Sequence, residues 1–339
     1  MGDVRREFRA AVSGGSDPMK QIGLMTVTLL VTCGFACGQP AHQEADIARY
    51  RNDPNAPETI SLLGRPLYAN PPASEKAKLE SDLRRAEANA RANPGNPDLL
   101  IWVGRRLGYL WRMTDAINVF TSGIERHRKY APLYRHRGHR YITVRQFDNA
   151  IADLQSAARL ISGTEDVIEQ DGMPNARNIP LTTLHFNVHY HLGVARYLKG
   201  DFSAALDAFG EAMKAGGKYD DNVVAVTDWM YMALRRMDRD EEAAKLLEPI
   251  NEGMDIIENK AYFQRLLMYK GLISPESLLD VQKASDLDLA TMGYGVGNWR
   301  LCNGDRNGAK EIFEKVVAGG YWPAFGYIAA EADLARMKN

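Results

Sequence analysis

A repeated pattern of small and large residues constrains this chain more than any other feature. Ala150, Leu154 and Ala157 show it as small-x-x-x-large-x-x-small, with the spacing of one face of an amphipathic helix. The pattern occurs six times, at successive intervals of 34, 55, 38, 34 and 32 residues. Its first positions are Ala116, Ala150, Ala205, Ala243, Ser277 and Ala309. An interval near 34 residues accommodates two helices and a turn, and therefore predicts stacked helix hairpins.

The position twelve residues before each pattern is also biased toward small residues. These positions hold Gly104, Gly138, Gly193, Tyr231, Arg265 and Gly297. Four glycines in six positions are far above an average glycine usage of about 7%. A glycine at such a point lets two helix backbones approach closely. Arg265 departs from the pattern, so the packing of the fifth hairpin does not follow from it.

The period and the small positions resemble those of the tetratricopeptide repeat over residues 97–320. The resemblance implies an all-α fold: a right-handed α-solenoid of about six hairpins with capping helices. The expected helix pairs are 97–110 with 114–127, 131–143 with 147–160, 183–199 with 202–214, 222–236 with 240–251, 257–270 with 275–284, and 288–302 with 306–318. A helix after Ser74 and a helix from Trp322 to Met337 are expected to cap the two ends.

The N-terminal residues differ in composition from the repeats. Residues 1–18 are interpreted as a non-native or mis-assigned extension, with the natural start at Met19. Lys20 then precedes an uncharged run from Ile22 to Ala36. This run is too short for a typical membrane-spanning helix and matches the core of a signal peptide. The sequence therefore predicts an exported bacterial protein of the periplasm or a membrane-anchored lipoprotein.

Two cysteines end the apolar run, and either is a candidate for lipidation. Cys37 follows the small residue Ala36, as in bacterial lipoproteins, whereas Cys33 follows Thr32. Plain cleavage after Ala36 or nearby is the alternative. Residues 19–37 are therefore interpreted as a signal peptide, of lipoprotein type if a cysteine is acylated. Polar, proline-rich residues 38–73 are predicted to be a tether to a solenoid at 74–339.

An insertion at residues 161–182 interrupts the array with a long loop. It carries four acidic residues against the single Arg177, whereas the segment from Arg105 to Arg145 has ten Lys or Arg and two acids. Long loops inside compact arrays are usually functional or disordered. We hypothesise that the acidic insertion folds back on the basic repeats and covers part of the groove. The alternative is a solvated loop beside solvated charges.

The resemblance implies that the first helix of each hairpin lines a concave face that binds a peptide or protein partner. Tyrosine, arginine and asparagine are favoured at such surfaces. The corresponding residues are Arg105, Arg135, His139, Asn187, Tyr190, Tyr197, Asp228, Arg235, Tyr262, Tyr269, Tyr294 and Asn298. The implied function is a scaffold or adaptor of the cell envelope. The alternative is a surface lipoprotein that binds glycans in an aromatic-lined groove.

Other chemistries find little support in the sequence. The net charge of −1 gives no bulk attraction for nucleic acid. His185 and His189 share a helix face, but Phe186 stands where a zinc protease helix has glutamate. No phosphate loop or nucleophile–base motif is present. We therefore expect no catalytic residues, no metal and no cofactor.

Overall fold

The structure is a computed structural model that describes residues 53, 55–280 and 283–338. The sequence features at residues 1–37, including Cys33 and Cys37, lie outside the described residues. The described elements are β1 (Thr59–Ile60), β2 (Pro66–Leu67), α1 (Ala73–Ala92), α2 (Pro97–Tyr109), α3 (Met113–Arg126), α4 (Ala131–Thr143), α5 (Phe147–Ile161), α6 (Leu184–Lys199), α7 (Phe202–Gly216), α8 (Asp220–Arg235), α9 (Asp240–Leu247), α10 (Lys260–Tyr269), α11 (Pro275–Leu278), α12 (Asp286–Asp288), a π-helical turn (Leu289–Gly293), α13 (Tyr294–Cys302), α14 (Arg306–Ala318) and α15 (Phe325–Lys338). In these parts of the chain no helix is long and apolar enough to cross a bilayer.

Helix boundaries follow from local capping chemistry. The side chains of Asn96, Thr183 and Asp201 accept hydrogen bonds from the first-turn backbone N–H groups of α2, α6 and α7. Gly200 ends α6 at φ +93°, a conformation that glycine adopts without steric cost. These signals start α2, α6 and α7 within one residue of the predicted positions, whereas α9, α10 and α11 are shorter than predicted.

Helix pairs pack as hairpins because a small residue on one helix receives a large residue from the other. A Cβ atom on Gly138 would lie 2.8 Å from Leu154, and one on Gly193 would lie 2.5 Å from Phe209. Gly297 receives Phe313 in the same way. The hairpins built on this principle are α2–α3, α4–α5, α6–α7 and α13–α14, and α8 and α9 also pack together as a hairpin. The all-α architecture of stacked hairpins is therefore confirmed.

This packing predicts opposite effects of two alanine substitutions within the third hairpin. Gly193→Ala is expected to destabilise the protein by about 1–3 kcal/mol, because the added methyl group collides with the buried ring of Phe209. Gly210→Ala on α7 meets nothing within 4 Å and is expected to stabilise by about 0.5–1 kcal/mol. Urea unfolding of both variants measures the difference. Equal effects would contradict the close approach of α6 and α7.

The fifth hairpin is reduced, at the position where the sequence departs from the pattern. Its second helix, α11, has four residues, whereas α10 has ten. Arg265 points its guanidinium group at the carboxylate of Asp228 on α8, and its Nη1 donates to the carbonyl of Thr291 at 2.8 Å. Gly295 leaves room for the Arg265 side chain. An ion pair therefore replaces the small-to-large contact of the other hairpins.

The C-terminal helix α15 does more than cap the last hairpin. It packs on α14, as expected, and also contacts α6, α13 and the π-helical turn. Glu331 accepts from Arg145 Nε at 2.8 Å, and both side chains are almost completely buried. Arg145 Nη2 also donates to the carbonyl of Trp322 at 3.1 Å. α15 therefore caps the last hairpin and also reaches the second and third hairpins.

The segment interpreted as a tether is folded from residue 59 onward. β1 and β2 pair antiparallel, with Thr59 opposite Leu67. Thr59 Oγ1 donates to the carbonyl of Val144 at 2.8 Å, and Arg65 Nη2 donates to that of Val317 at 2.6 Å. The hairpin therefore contacts both the α4–α5 turn and the end of α14.

Candidate functional site

The residues predicted to line an open inner face are mostly in the interior. Arg105, His139, Arg235 and Tyr262 are partly buried. The remaining eight are buried: Arg135, Asn187, Tyr190, Tyr197, Asp228, Tyr269, Tyr294 and Asn298. The expectation of an accessible stripe is therefore wrong for these eight. Their contact with a partner stays a prediction.

A hydrogen-bonded network shows what these buried side chains contact instead. The hydroxyl groups of Tyr197 and Tyr294 lie 2.7 Å apart, and that of Tyr294 donates to Asp333 Oδ2 at 3.1 Å. Arg236 Nη1 donates to Asp333 Oδ1 at 2.8 Å. Burial raises the pKa of Tyr197 above its ordinary value. Since Asp333 belongs to α15, the chain's own C-terminal helix occupies this part of the inner face.

A second aromatic group lies between the third and fifth hairpins. Trp229 Nε1 donates to the hydroxyl of Tyr190 at 2.9 Å, and that hydroxyl lies 3.3 Å from the hydroxyl of Tyr262. The rings of Tyr231 and Tyr269 stack with centroids 4.2 Å apart. These aromatic side chains pack against one another and do not form an exposed platform.

The insertion folds back on the basic repeats, as hypothesised. Arg135 Nη2 lies 2.9 Å from Glu169 Oε1, an ion pair whose side chains are 8% and 14% exposed. Arg105 Nη1 donates to the carbonyl of Gln170 at 2.6 Å, and Arg106 Nη1 to that of Gly172 at 3.1 Å. The sequence hypothesis is thus confirmed by contacts to the backbone as well as to a carboxylate.

A small basic cavity lies beneath the insertion, between α2 and α4. Its volume is 120 Å³. Its lining, which defines what we call the basic cavity, comprises Gly104, Arg105, Tyr109, Phe120, Arg135, His136, His139, Arg140 and Glu169. Burial lowers the pKa of Arg140 to about 10, and the neighbouring Arg135 and Arg105 contribute to the decrease. Cationic groups therefore outnumber anionic ones in a desolvated space.

Three histidines cluster beside this cavity. The rings of His139 and His191 lie 4.4 Å apart, and that of His136 stacks on Phe120 at 5.7 Å. Burial lowers the pKa of all three well below the ordinary value, and nearby arginines lower it further. Of these three, only His139 is among the residues that the sequence predicts for the inner face. The three histidines lie on α4 and α6, the first helices of successive hairpins, and this is the sequence signal that could have placed them together.

The described residues contain no group of three or more His, Cys, Asp or Glu side chains arranged to hold a metal ion. His185 and His189 remain on α6, where the hydroxyl of Thr164 lies 3.3 Å from His185 Nε2. A larger cleft of 720 Å³ lies between the N-terminal segment and α1, with acidic and basic side chains on its walls.

Comparison with known proteins found similarity in structure only. No family model and no curated protein matches the sequence. A tetratricopeptide repeat protein from Parabacteroides merdae shares 16% identity and a TM-score of 0.43, over 76% of this chain and 94% of that one. YrrB, described as a TPR protein with an unusual peptide-binding site, shares 14% identity and a TM-score of 0.39, over 69% of this chain and 91% of that one. MamA shares 15% identity and a TM-score of 0.40, over 59% of this chain and 89% of that one.

The fold is a tetratricopeptide-like array of stacked helix hairpins. Its own hairpin packing, with glycines opposite large side chains in four of the hairpins, is the basis for this statement. No residue role is transferred from the similar structures.

Proposed function

We propose that this protein is an interaction adaptor that binds a peptide or protein partner through the exposed surface of its insertion. The inner face is filled by α15 and by its own aromatic side chains, so it offers little open surface. The insertion instead carries four of the nine exposed large apolar side chains of the described residues. They are Val167, Ile168, Met173 and Ile179, between 37% and 59% exposed. Concentrated apolar exposure of this kind is typical of interaction sites.

Backbone hydrogen bonds and an ion pair fix the conformation of the insertion that carries these side chains. Glu169 N donates to the carbonyl of Thr182 at 3.0 Å, and Leu184 N donates to that of Val167 at 2.9 Å. Arg177 pairs with Asp255 at 2.7 Å. A surface held in this way loses little conformational freedom when a partner binds.

Capture of a partner from the native host provides the test. The variant Val167→Ser, Ile168→Ser, Met173→Ser is expected to capture at least tenfold less partner after crosslinking, because burial of apolar side chains contributes to the binding free energy. The matched control is Leu272→Ser, Leu287→Ser, which removes side chains 59% and 46% exposed outside the insertion. Equal capture by both variants would show that the partner binds elsewhere.

We also propose that the protein is exported to the bacterial cell envelope. The uncharged run from Ile22 to Ala36 supports this proposal. Cys37 and Cys33 are the alternative lipidation sites, and simple cleavage is the third possibility. Mass spectrometry of the mature N-terminus distinguishes them, and an unprocessed cytosolic chain would contradict export.

No observation on the described residues favours the glycan-binding alternative. Trp111, Trp229 and Trp322 are buried, and Trp102 and Trp299 are partly buried. A glycan platform needs an exposed aromatic ring face, which these tryptophans do not offer. A glycan array tests this alternative directly.

A further inference from the structure

The basic cavity carries an excess of positive charge among its lining residues. Arg105, Arg135 and Arg140 contribute three positive charges, and Glu169 contributes one negative charge. The histidines of the lining are held neutral by burial and by these arginines. Outside the lining, Asp171 also interacts with Arg105. A small anion would balance the remaining charge of the cavity.

Hydrogen-bonding capacity in the cavity is also unused. Arg135 is 7% exposed, and its buried Nε has no hydrogen-bond partner among the described residues. Arg140 has no acidic partner within 4.0 Å in that part of the chain, and its Nη1 lies against Gly108 and 3.5 Å from the sulfur of Met113. Buried donors without partners cost free energy, and such groups in folded proteins commonly mark a bound water or ion.

One acceptor in the cavity is unused as well. Glu169 Oε1 faces Arg135, whereas the buried Glu169 Oε2 has no partner within the described residues. An ionised carboxylate can only accept a hydrogen bond. The ligand that satisfies every group must therefore present acceptor oxygens to the arginines and one O–H donor to Glu169.

The size of the cavity limits the ligand. A volume of 120 Å³ holds several water molecules, a size that suits one tetrahedral oxyanion. The insertion closes over the arginines through Glu169 and Gln170. A peptide segment does not fit in such a space.

We propose that the basic cavity binds inorganic phosphate as its monohydrogen form, with Arg135 and Arg140 donating to its oxygens and Glu169 Oε2 accepting from its hydroxyl group. Sulfate presents the same oxygens but no O–H, so the carboxylate of Glu169 repels it. The dianion of a phosphate monoester also lacks the proton. This site does not depend on the proposed partner surface.

Titration calorimetry on the full chain in phosphate-free buffer at neutral pH tests the proposal. We expect saturable binding of one phosphate per chain, with sulfate and glycerol phosphate at least tenfold weaker. Arg140→Gln is expected to weaken phosphate binding at least tenfold, because a hydrogen bond to a charged group is lost. The matched control Arg128→Gln, at an exposed arginine between α3 and α4, is expected to bind like the wild type.

The variant Glu169→Gln tests whether the carboxylate of Glu169 is the group that selects phosphate over sulfate. Its amide can donate to an oxyanion, so sulfate is expected to bind within about twofold of phosphate. Circular dichroism shows that each variant is folded. Absence of saturable phosphate binding by the wild type, an unchanged affinity in Arg140→Gln, or equal affinities of the wild type for phosphate and sulfate would overturn the proposal.

Discussion

Lowering the pH from 8 to 5 is expected to reduce the free energy of unfolding. The reason is the buried cluster of His136, His139 and His191, whose pKa values are lowered first by burial and then by neighbouring charges. Arg135 and Arg140 act on all three histidines. The folded protein therefore resists protonation of groups that protonate readily when the chain is unfolded.

The direction of the effect follows from proton linkage. An unfolded histidine takes up a proton below about pH 6.5, whereas these histidines do so only at lower pH in the folded state. Their stabilising contribution is fully present above that pH and is lost as the pH falls through the folded pKa values. Each histidine contributes a slope of up to about 1.4 kcal/mol per pH unit. Glu169 Oε1 lies 3.6 Å from His136 Nε2 and opposes the effect, because a nearby carboxylate favours the protonated ring. It is the one acidic side chain of the described residues within 4.0 Å of these rings.

Urea unfolding at a series of pH values measures this slope. His139→Gln removes one member of the cluster and is expected to reduce the slope between pH 6.5 and 5 by about one third. His127→Gln, at the end of α3 and outside the cluster, serves as the matched control and is expected to leave the slope unchanged. A stability that is constant between pH 7 and pH 5 would contradict the burial of the three rings.

Arg265→Met is expected to destabilise the protein by about 3–5 kcal/mol. Arg265 and Asp228 form an ion pair whose side chains are 3% and 0% exposed, with Nε donating to Oδ1 at 2.9 Å. Burial raises the pKa of Asp228 to about 6, against the opposing effect of Arg265. Removal of the arginine leaves a buried carboxylate without its partner. Chemical denaturation at pH 8 measures the loss, since Asp228 is then ionised in the wild type.

Two variants provide the controls for this prediction. Arg239→Met removes one member of an exposed pair with Glu242 and is expected to leave stability unchanged within error. The double variant Asp228→Leu, Arg265→Met removes both buried charges and is expected to recover at least half of the loss, because apolar residues replace a buried pair at little cost. If Arg265→Met were no less stable than Arg239→Met, the ion pair would not hold the fifth hairpin.

The sequence allowed the hairpins to be predicted because the signal lies within each helix pair. A glycine and a large residue sixteen positions apart, such as Gly193 and Phe209, must meet wherever two helices fold back on each other. The departure at Arg265 was visible too, but its partner Asp228 lies 37 residues earlier. The acidic insertion was placed correctly over the basic repeats, because a local excess of opposite charges predicts attraction without any knowledge of distance.

The inner face could not be predicted in the same way. Its residues were chosen from their positions on the first helices, and the same face is buried when another part of the chain covers it. Asp333 on α15 reaches Tyr294, and Glu331 reaches Arg145, across 39 and 186 residues. No periodicity connects positions so far apart, so the covering helix was interpreted as a terminal cap.

The sequence by itself determined the repeating unit, its period and its irregular fifth copy, because these depend on contacts between neighbouring helices and on turns. Only the tertiary structure decided that α15 fills the inner face and that three histidines and three arginines meet beneath the insertion. The physical reason is that the burial of a site and the charge around it depend on segments that are distant in the sequence. A side chain suited to binding a partner is equally suited to binding its own chain.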